Sequence, residues 1–282
     1  MVTAAVSGSA SGIGAAVRAR LEADGVRVIG IDIRDAEVVA DLCDAAGRER
    51  AVAETLEACG GRLDRLVACA GLGAHVEPVT KIALVNYFGT VDLLDGLLPA
   101  LSQGDSPAAV AVCSNSAQMA PFDDHPAVVA MLAHDADATV STLEDGGDGF
   151  VAYAGSKMAV GRAVRRRARA WGDAGVRLNA IAPGPVETPL LEGGREHPVY
   201  GDAIRAISPP LGRLGQPDEI AGLIALLLRI YSGRRPEDIL STSPDFVDSL
   251  GLKSHLSPTR STGLASMLEA IRGFATAVRE QA

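Results

Sequence analysis

Short apolar runs alternate with helical periodicity through most of the chain. Val2 to Val6 is apolar and leads into Ser7-Gly8-Ser9-Ala10-Ser11-Gly12-Ile13-Gly14. A helical pattern follows from Ala15 to Asp24 and stops at Gly25, and Val26 to Ile31 reads as a second strand closed by Asp32. Leu63 to Ala70 is strand-like and ends in Cys69-Ala70-Gly71, Ile82 to Leu98 is helical, Ala108 to Cys113 is a strand ending at Ser114, and Val176 to Ile181 is a strand ahead of Pro183-Gly184. Strands alternating with helices predict a doubly wound α/β fold with a parallel sheet. Ligands in such sheets bind beyond the carboxyl ends of the strands. Gly8, Asp32, Gly71, Ser114 and Pro183 all fall there.

The pattern changes towards the C-terminus. A helix is predicted from Pro217 to about Tyr231, but no further strand follows it. Ser257-Pro258 reads as an N-cap and first-turn proline. Leu264, Met267, Leu268, Ile271, Phe274 and Val278 then recur at helical spacing, so the tail is expected to be all-α. The division expected is 1–221 for the α/β domain, with an insert at about 119–149, and 222–282 for a helical segment. Without a closing strand, the strand near Val176 to Ile181 is expected at a sheet edge.

Composition narrows the class. At 282 residues and 48% hydrophobic, the chain can bury a sizeable core. Its net charge of −9 argues against nucleic acid as a partner. The cluster Arg162, Arg165, Arg166, Arg167 and Arg169 reads as a solvated helix face. Cys43, Cys59, Cys69 and Cys113 show no paired spacing, and the five histidines show no metal-ligand spacing. With no charged leader and no apolar run of 18 or more residues, a cytoplasmic protein is expected.

Two constellations carry chemistry. The strand, glycine turn, helix, strand unit at Val2 to Asp32 suits a dinucleotide. Glycines let the backbone approach a pyrophosphate, and the helix N-terminus presents free N–H groups. Asp32 can accept from ribose hydroxyls and would repel a 2′-phosphate, which favours NAD over NADP, although Arg34 lies close by. Tyr153 and Lys157 stand four residues apart at the start of a helical run, on one face about 6 Å apart along the axis. A cation beside a phenol favours the phenolate, so the pair can pass a proton to or from an oxygen.

Together these residues resemble the short-chain dehydrogenase/reductase family over about residues 1–220. Gly8, Gly12 and Gly14 fit its Gly-x-x-x-Gly-x-Gly turn, and Asn86 fits the Asn of the helix in Asn86-Tyr87-Phe88-Gly89. Ser114, Tyr153 and Lys157 fit its catalytic set, and Pro183-Gly184 with Thr188 fits the segment beside the nicotinamide. Gly30 to Val38 and Ala182-Pro183-Gly184 lean towards its bacterial 3α-hydroxysteroid dehydrogenase/carbonyl reductase branch. The resemblance implies a Rossmann-type sheet and hydride exchange between NAD(H) and a carbonyl or secondary alcohol, with steroids or other bulky ketones as substrates. It implies NAD contacts at Gly8, Ser11, Gly12, Ile13 and Gly14, at Asp32 and Ile33, and at Asp41 and Leu42. Further contacts are implied at Ala70 and Gly71, at Tyr153 and Lys157, and at Pro183, Gly184, Val186 and Thr188. Tyr153 would be the acid or base, Ser114 rather than its neighbour Ser116 would hold the reacting oxygen, and Asn86 would position a water linked to Lys157. A homo-oligomer is also expected.

Three departures stand out. Cys69 replaces the family's usual Asn. Tyr153 follows Ser114 by 39 positions, much farther than in most members, and the insert between them reads as a short helical excursion. It suits a plain surface insertion, a cover over the substrate cleft or a block on helix pairing between subunits. Residues of about 222–280 instead resemble the C-terminal half of SufE-like sulfur-acceptor proteins, through Gly251 to Arg260 and Gly263 to Arg272 among others. No cysteine follows Cys113, so that tail has no sulfur nucleophile. This leaves an alternative in which a catalytically impaired NAD-binding scaffold docks an iron–sulfur assembly partner, such as a cysteine desulfurase, through its tail.

Overall fold

The computed structural model describes residues 1–209 and 212–229 together with Thr276. The chain divides into two compact units, 1–230 and 231–282. The helical stripe expected in the tail lies outside the described residues.

The first unit is built on strands β1 (Thr3–Ser7), β2 (Arg27–Asp32), β3 (Val38–Val39), β4 (Arg65–Ala68), β5 (Ala108–Val112) and β6 (Arg177–Ile181). All pair in parallel, in the order β3-β2-β1-β4-β5-β6. The expected α/β class is therefore observed, and β6 ends the sheet among the described residues. The two-residue β3 was not expected; it is too short to show period-two alternation. In register, Gly30, Val6, Val67, Val110 and Asn179 lie side by side across the sheet.

Helices α1 (Gly12–Ala23), α2 (Ala45–Ala58), α3 (Thr80–Ala83) and α4 (Thr90–Leu101) come from the first half. They are followed by α5 (Pro126–Leu132), α6 (Ala136–Glu144), α7 (Gly149–Asp173), α8 (Pro189–Glu196), α9 (Gly201–Arg205) and α10 (Pro217–Arg229). Alternate strand residues feed two cores, as a sheet covered on both faces requires. Ala4, Val6, Val28, Val67 and Val110 pack beneath Val17 and Leu21 of α1 and Ile224 and Leu228 of α10. Ala5, Ile29, Leu66 and Ala109 pack with Leu93, Leu94 and Leu97 of α4 and Val160 and Trp171 of α7. Arg177 ties β6 to α10 by donating to the carbonyls of Leu227 and Leu228 at 3.1 and 3.0 Å. Burial, with Arg65 nearby, pushes its guanidinium down to about 10.

Thr80 to Leu101 runs as one helical stretch, with a π-helical turn at Leu84–Gly89 between α3 and α4. Among the described residues it alone is long and apolar enough to cross a membrane by length and composition, which corrects the expectation that no run approaches that length. Of its most apolar window, 67% is buried inside the fold. It is the spine of a core, not evidence of a bilayer.

The insert forms two helices rather than one excursion. Its α5 packs on α7 and its α6 on α3. Gly155 admits Val128: a Cβ there would stand 3.0 Å from the Val128 side chain. His134, in the turn between the two helices, places Nε2 3.0 Å from Asp92 of α4 and its ring 5.2 Å from that of Phe88. The insert therefore lies along the helical layer.

The arginine cluster is less free than a solvated face. Arg167 makes a two-pronged contact with Asp95 on α4, Arg162 pairs with Asp123, and Arg166 donates to the Leu132 carbonyl. These contacts fasten α7 to α4 and to the insert.

Candidate functional site

The glycine turn between β1 and α1 sits where the sheet order reverses. Gly8 and Gly12 adopt φ of 72° and 53°, the left-handed region that glycine tolerates. Close approach also demands glycine here. A Cβ on Gly8 would stand 2.8 Å from the backbone of Ala70, and one on Gly14 would stand 2.0 Å from the Gly8 carbonyl oxygen. Ser7 Oγ accepts from the N–H groups of Cys69 and Ala70, stitching the ends of β1 and β4. Ser11 is extended at the N-cap of α1 but its side chain caps nothing, and no acidic residue lies in the first turn. Ile13 packs on the α1-side core.

Asp32 closes β2. Its carboxylate accepts from Ala10 N at 2.9 Å and from Ile33 N at 2.8 Å, so it braces the glycine turn. Ile33 itself is exposed. Asp41 turns back on its own backbone and accepts from Cys43 N at 2.8 Å. Leu42 is buried and fits against Gly89. The structure thus gives these last two residues a loop and a core role.

The other constellation is anchored by side chains. Ser114 ends β5 and caps a 3-10 turn at Asn115–Gln118, against which α7 packs. Tyr153 and Lys157 lie one turn apart on α7, as their spacing predicts. Lys157 is 5% exposed, and its Nζ donates to the Val112 carbonyl at 3.0 Å, two residues before Ser114. Gly71 fits between Lys157 and Asn86: a Cβ there would stand 3.2 Å from both Lys157 Nζ and Asn86 Oδ1. Lys157, Asn86, Gly71 and the end of β5 are thereby brought together.

Asn86 is fully buried in the π-helical turn. Its Oδ1 accepts from Leu72 N at 2.7 Å, and its Nδ2 donates to Leu72 O at 3.1 Å and to Ser156 Oγ at 3.2 Å. Ser156 Oγ donates in turn to the Tyr153 carbonyl. The Asn86 side chain is thus a brace within the fold. Both amide donors are committed within the protein, so the side chain braces the Gly71-Leu72 loop against α7. The neighbouring Cys69 thiol is pushed up to about 12 by burial, against the opposing pull of the Lys157 cation. It is a neutral thiol.

The segment after β6 reaches across to the glycine turn. Asn115 N donates to Pro183 O, a Cβ on Gly184 would stand 3.8 Å from Asn115 Nδ2, and Val186 bridges to Gly215. Thr188 caps α8, and its methyl would stand 3.3 Å from a Cβ on Gly12. Helix α8 then lies over His75, whose ring fills the space a Cβ would take on Gly73 or Gly193. Burial and the nearby His197 hold His75 below its ordinary value. Ser7, Ser156 and His75 had no motif to reveal them, because each has a partner distant in sequence: Cys69 and Ala70, Asn86, and Gly193.

Comparison with known proteins agrees with this geometry. The short chain dehydrogenase family model matches residues 2–124, and a related model described as Enoyl-(Acyl carrier protein) reductase matches residues 137–233. The Fe-S metabolism associated domain SufE matches residues 218–275, overlapping the second match over residues 218–233. The chain is similar to the 3-alpha-hydroxysteroid dehydrogenase/carbonyl reductase of Comamonas testosteroni, at 49% identity over 225 residues, covering 79% of this chain and 88% of that protein. It is 30% identical over 249 residues to the D-threitol dehydrogenase of Mycolicibacterium smegmatis, covering 79% and 84%. The crystal structure of the 3-alpha-hydroxysteroid dehydrogenase from Pseudomonas sp. B-0831 complexed with NADH superposes with a TM-score of 0.79 at 48% identity, covering 80% of this chain and 89% of that one.

Proposed function

The chain belongs to the short-chain dehydrogenase/reductase family, and from that premise we propose that it exchanges a hydride between NAD(H) and the carbon of a bulky ketone or secondary alcohol, steroids among them. The observation that carries this reading is the convergence of Lys157, Asn86 and Gly71 on the strand end that bears Ser114.

The residues fit a dinucleotide. The glycine turn leaves no room for a Cβ, and the first turn of α1 carries neither a side-chain cap nor an acid. Gly8, Ser11, Gly12, Ile13 and Gly14 would hold the phosphates, with Asp32 and Ile33 on the ribose and adenine side. Asp41, Leu42, Ala70, Gly71, Pro183, Gly184, Val186 and Thr188 would line the rest. The charge of Asp32 opposes a 2′-phosphate, which favours NAD over NADP. When bound, NAD(H) supplies the hydride acceptor or donor.

The chain's own residues handle the proton. Tyr153 gives its hydroxyl proton to the ketone oxygen in reduction and takes it back in oxidation. Ser114 donates a hydrogen bond to the same oxygen, where negative charge develops. Lys157 is held by the Val112 carbonyl and places a cation one helical turn from Tyr153. The exposed Met119, Leu190, Val199 and Ile207 stand on the segments after Ser114 and after Thr188, which suits an apolar substrate. The absence of paired cysteine spacing supports the cytoplasm as its compartment.

Tyr153→Phe is the test. We expect turnover of a ketone panel to fall by about 10²–10⁴-fold with NADH binding retained. Full turnover in that variant would remove Tyr153 from the proton transfer.

The SufE match supports a second reading, in which the tail docks a cysteine desulfurase while the first unit only binds nucleotide. Titrating the purified full chain with a purified desulfurase tests it. Binding without ketone turnover would favour this reading. Sulfur transfer is not expected, since no cysteine follows Cys113.

A further inference from the structure

Ser114 does not stand alone at the end of β5. Its Oγ accepts the hydroxyl of Ser116 at 2.9 Å and the main-chain N–H of Ser116 at 3.2 Å. Both serines are buried, at 8% and 7% exposure. A serine hydroxyl has one proton and two acceptor positions. With two donors directed at Ser114 Oγ, both acceptor positions are taken, and its own proton is left to point elsewhere.

We infer that Ser116 is a positioning residue that makes Ser114 a hydrogen-bond donor to the substrate oxygen. The inference rests on the reaction proposed above, in which that oxygen gains negative charge and needs donors rather than acceptors. A lone serine could turn either way and offer a lone pair to the incoming carbonyl, an orientation that repels it. The Ser116 hydroxyl removes that choice, and in donating to Ser114 it also polarises the Ser114 O–H. The main-chain N–H alone leaves one acceptor position open, so the hydroxyl completes the set. The 3-10 turn is the geometry that allows this: it folds residue 116 back over residue 114, which an extended continuation of β5 would carry away.

The test is a cycle of Ser114→Ala, Ser116→Ala and the double variant, with Ser116→Thr as the conservative control. Ketone reduction kinetics, NADH affinity and melting temperature are measured for each. Ser116→Ala should lower kcat by about fivefold to tenfold, the effect of one hydrogen bond, with the KM for ketone nearly unchanged. Ser116→Thr, which keeps a hydroxyl, should recover most of that loss. In the Ser114→Ala background, Ser116→Ala should cost nothing further, because its partner is gone. NADH affinity should stay the same throughout.

Additive losses would show that Ser116 acts on stability or on another group, and would overturn the inference. So would failure of Thr to rescue in a variant that melts like the wild type. If Ser116→Ala does not fold, Ser116→Cys, close to isosteric and a weak donor, takes its place with the same criteria. A wild type that binds NADH but reduces no ketone overturns the proposed reaction and this inference together. An active wild type with an indifferent Ser116 overturns the inference alone.

Discussion

The two halves of the site are built in opposite ways. The nucleotide half is a matter of absent atoms: Gly8 lies against Ala70, and Gly14 lies against the Gly8 carbonyl, each too close for a methyl group. The chemical half is a matter of present ones. Asn86, Ser156, Ser114, Ser116 and Lys157 each spend side-chain hydrogen bonds on backbone or on one another. The first should therefore break when an atom is added, and the second when one is removed. Asp32 crosses the divide, since its carboxylate braces the glycine turn through Ala10.

The largest expected effect follows from adding one methyl. In Gly14→Ala the new carbon would meet the Gly8 carbonyl oxygen at 2.0 Å and its carbon at 2.6 Å, both backbone atoms that cannot swing aside. Overpacking of this kind costs about 1–3 kcal/mol, and the backbone contact puts this case at the upper end or above it. Denaturant unfolding should show the loss, and the rise in melting temperature on adding NADH should vanish. A variant with normal NADH affinity would show that the turn has slack and would undo the contrast between the halves.

Removing atoms from the other half should cost less stability and more chemistry. Asn86→Ala strands the Leu72 N–H and C=O and deprives Ser156 of its donor, in a fully buried place. We expect a loss of about 2 kcal/mol in unfolding free energy. NADH affinity should fall less than in Gly14→Ala, while kcat falls because the Gly71-Leu72 loop loosens beside Lys157. Equal losses of NADH affinity in the two variants would mean that the halves are not separable.

What could be read from the chain follows the same line. The glycine turn, Asp32 and the Tyr153/Lys157 pair are encoded by local spacing, so the sequence shows them. The strand alternation was readable because β1, β2, β4 and β5 have buried apolar interiors and carry polar residues only at their ends. The bracing contacts of the Asn86 side chain could not be read, because its partners lie 14 and 70 residues away. Thr188 meeting Gly12, and Val128 filling the space beside Gly155, are likewise products of the closed fold. The insert was legible as a short helical excursion but not as two helices, one lying on α7 and the other on α3. Ser116 was visible as a rival to Ser114; its hydrogen bond makes it a partner.

The smallest effect tests an ionic fastening of the nucleotide half beyond the hydrogen bonds of Ser7 and Asp32. Beneath the glycine turn, Glu37 accepts from Gly30 N at 2.7 Å and from both terminal nitrogens of Arg18 at 2.6 and 3.0 Å. Burial pushes its carboxyl up, but the hydrogen bonds from Arg18 and Gly30 outweigh burial and hold it below its ordinary value. A depressed carboxyl contributes stability that is fully present above its unfolded value of about 4.3 and is lost as the pH falls through the folded value. Glu37 is 44% exposed, so solvent screening keeps the contribution under about 1 kcal/mol. Glu37→Gln should therefore lower unfolding free energy slightly at pH 7, and the gap to wild type should shrink as the pH falls below about 4. A gap that stays constant with pH would remove the ionic part of this argument. A loss as large as that of Gly14→Ala would show that the turn is held up by this cluster as much as by close backbone contact.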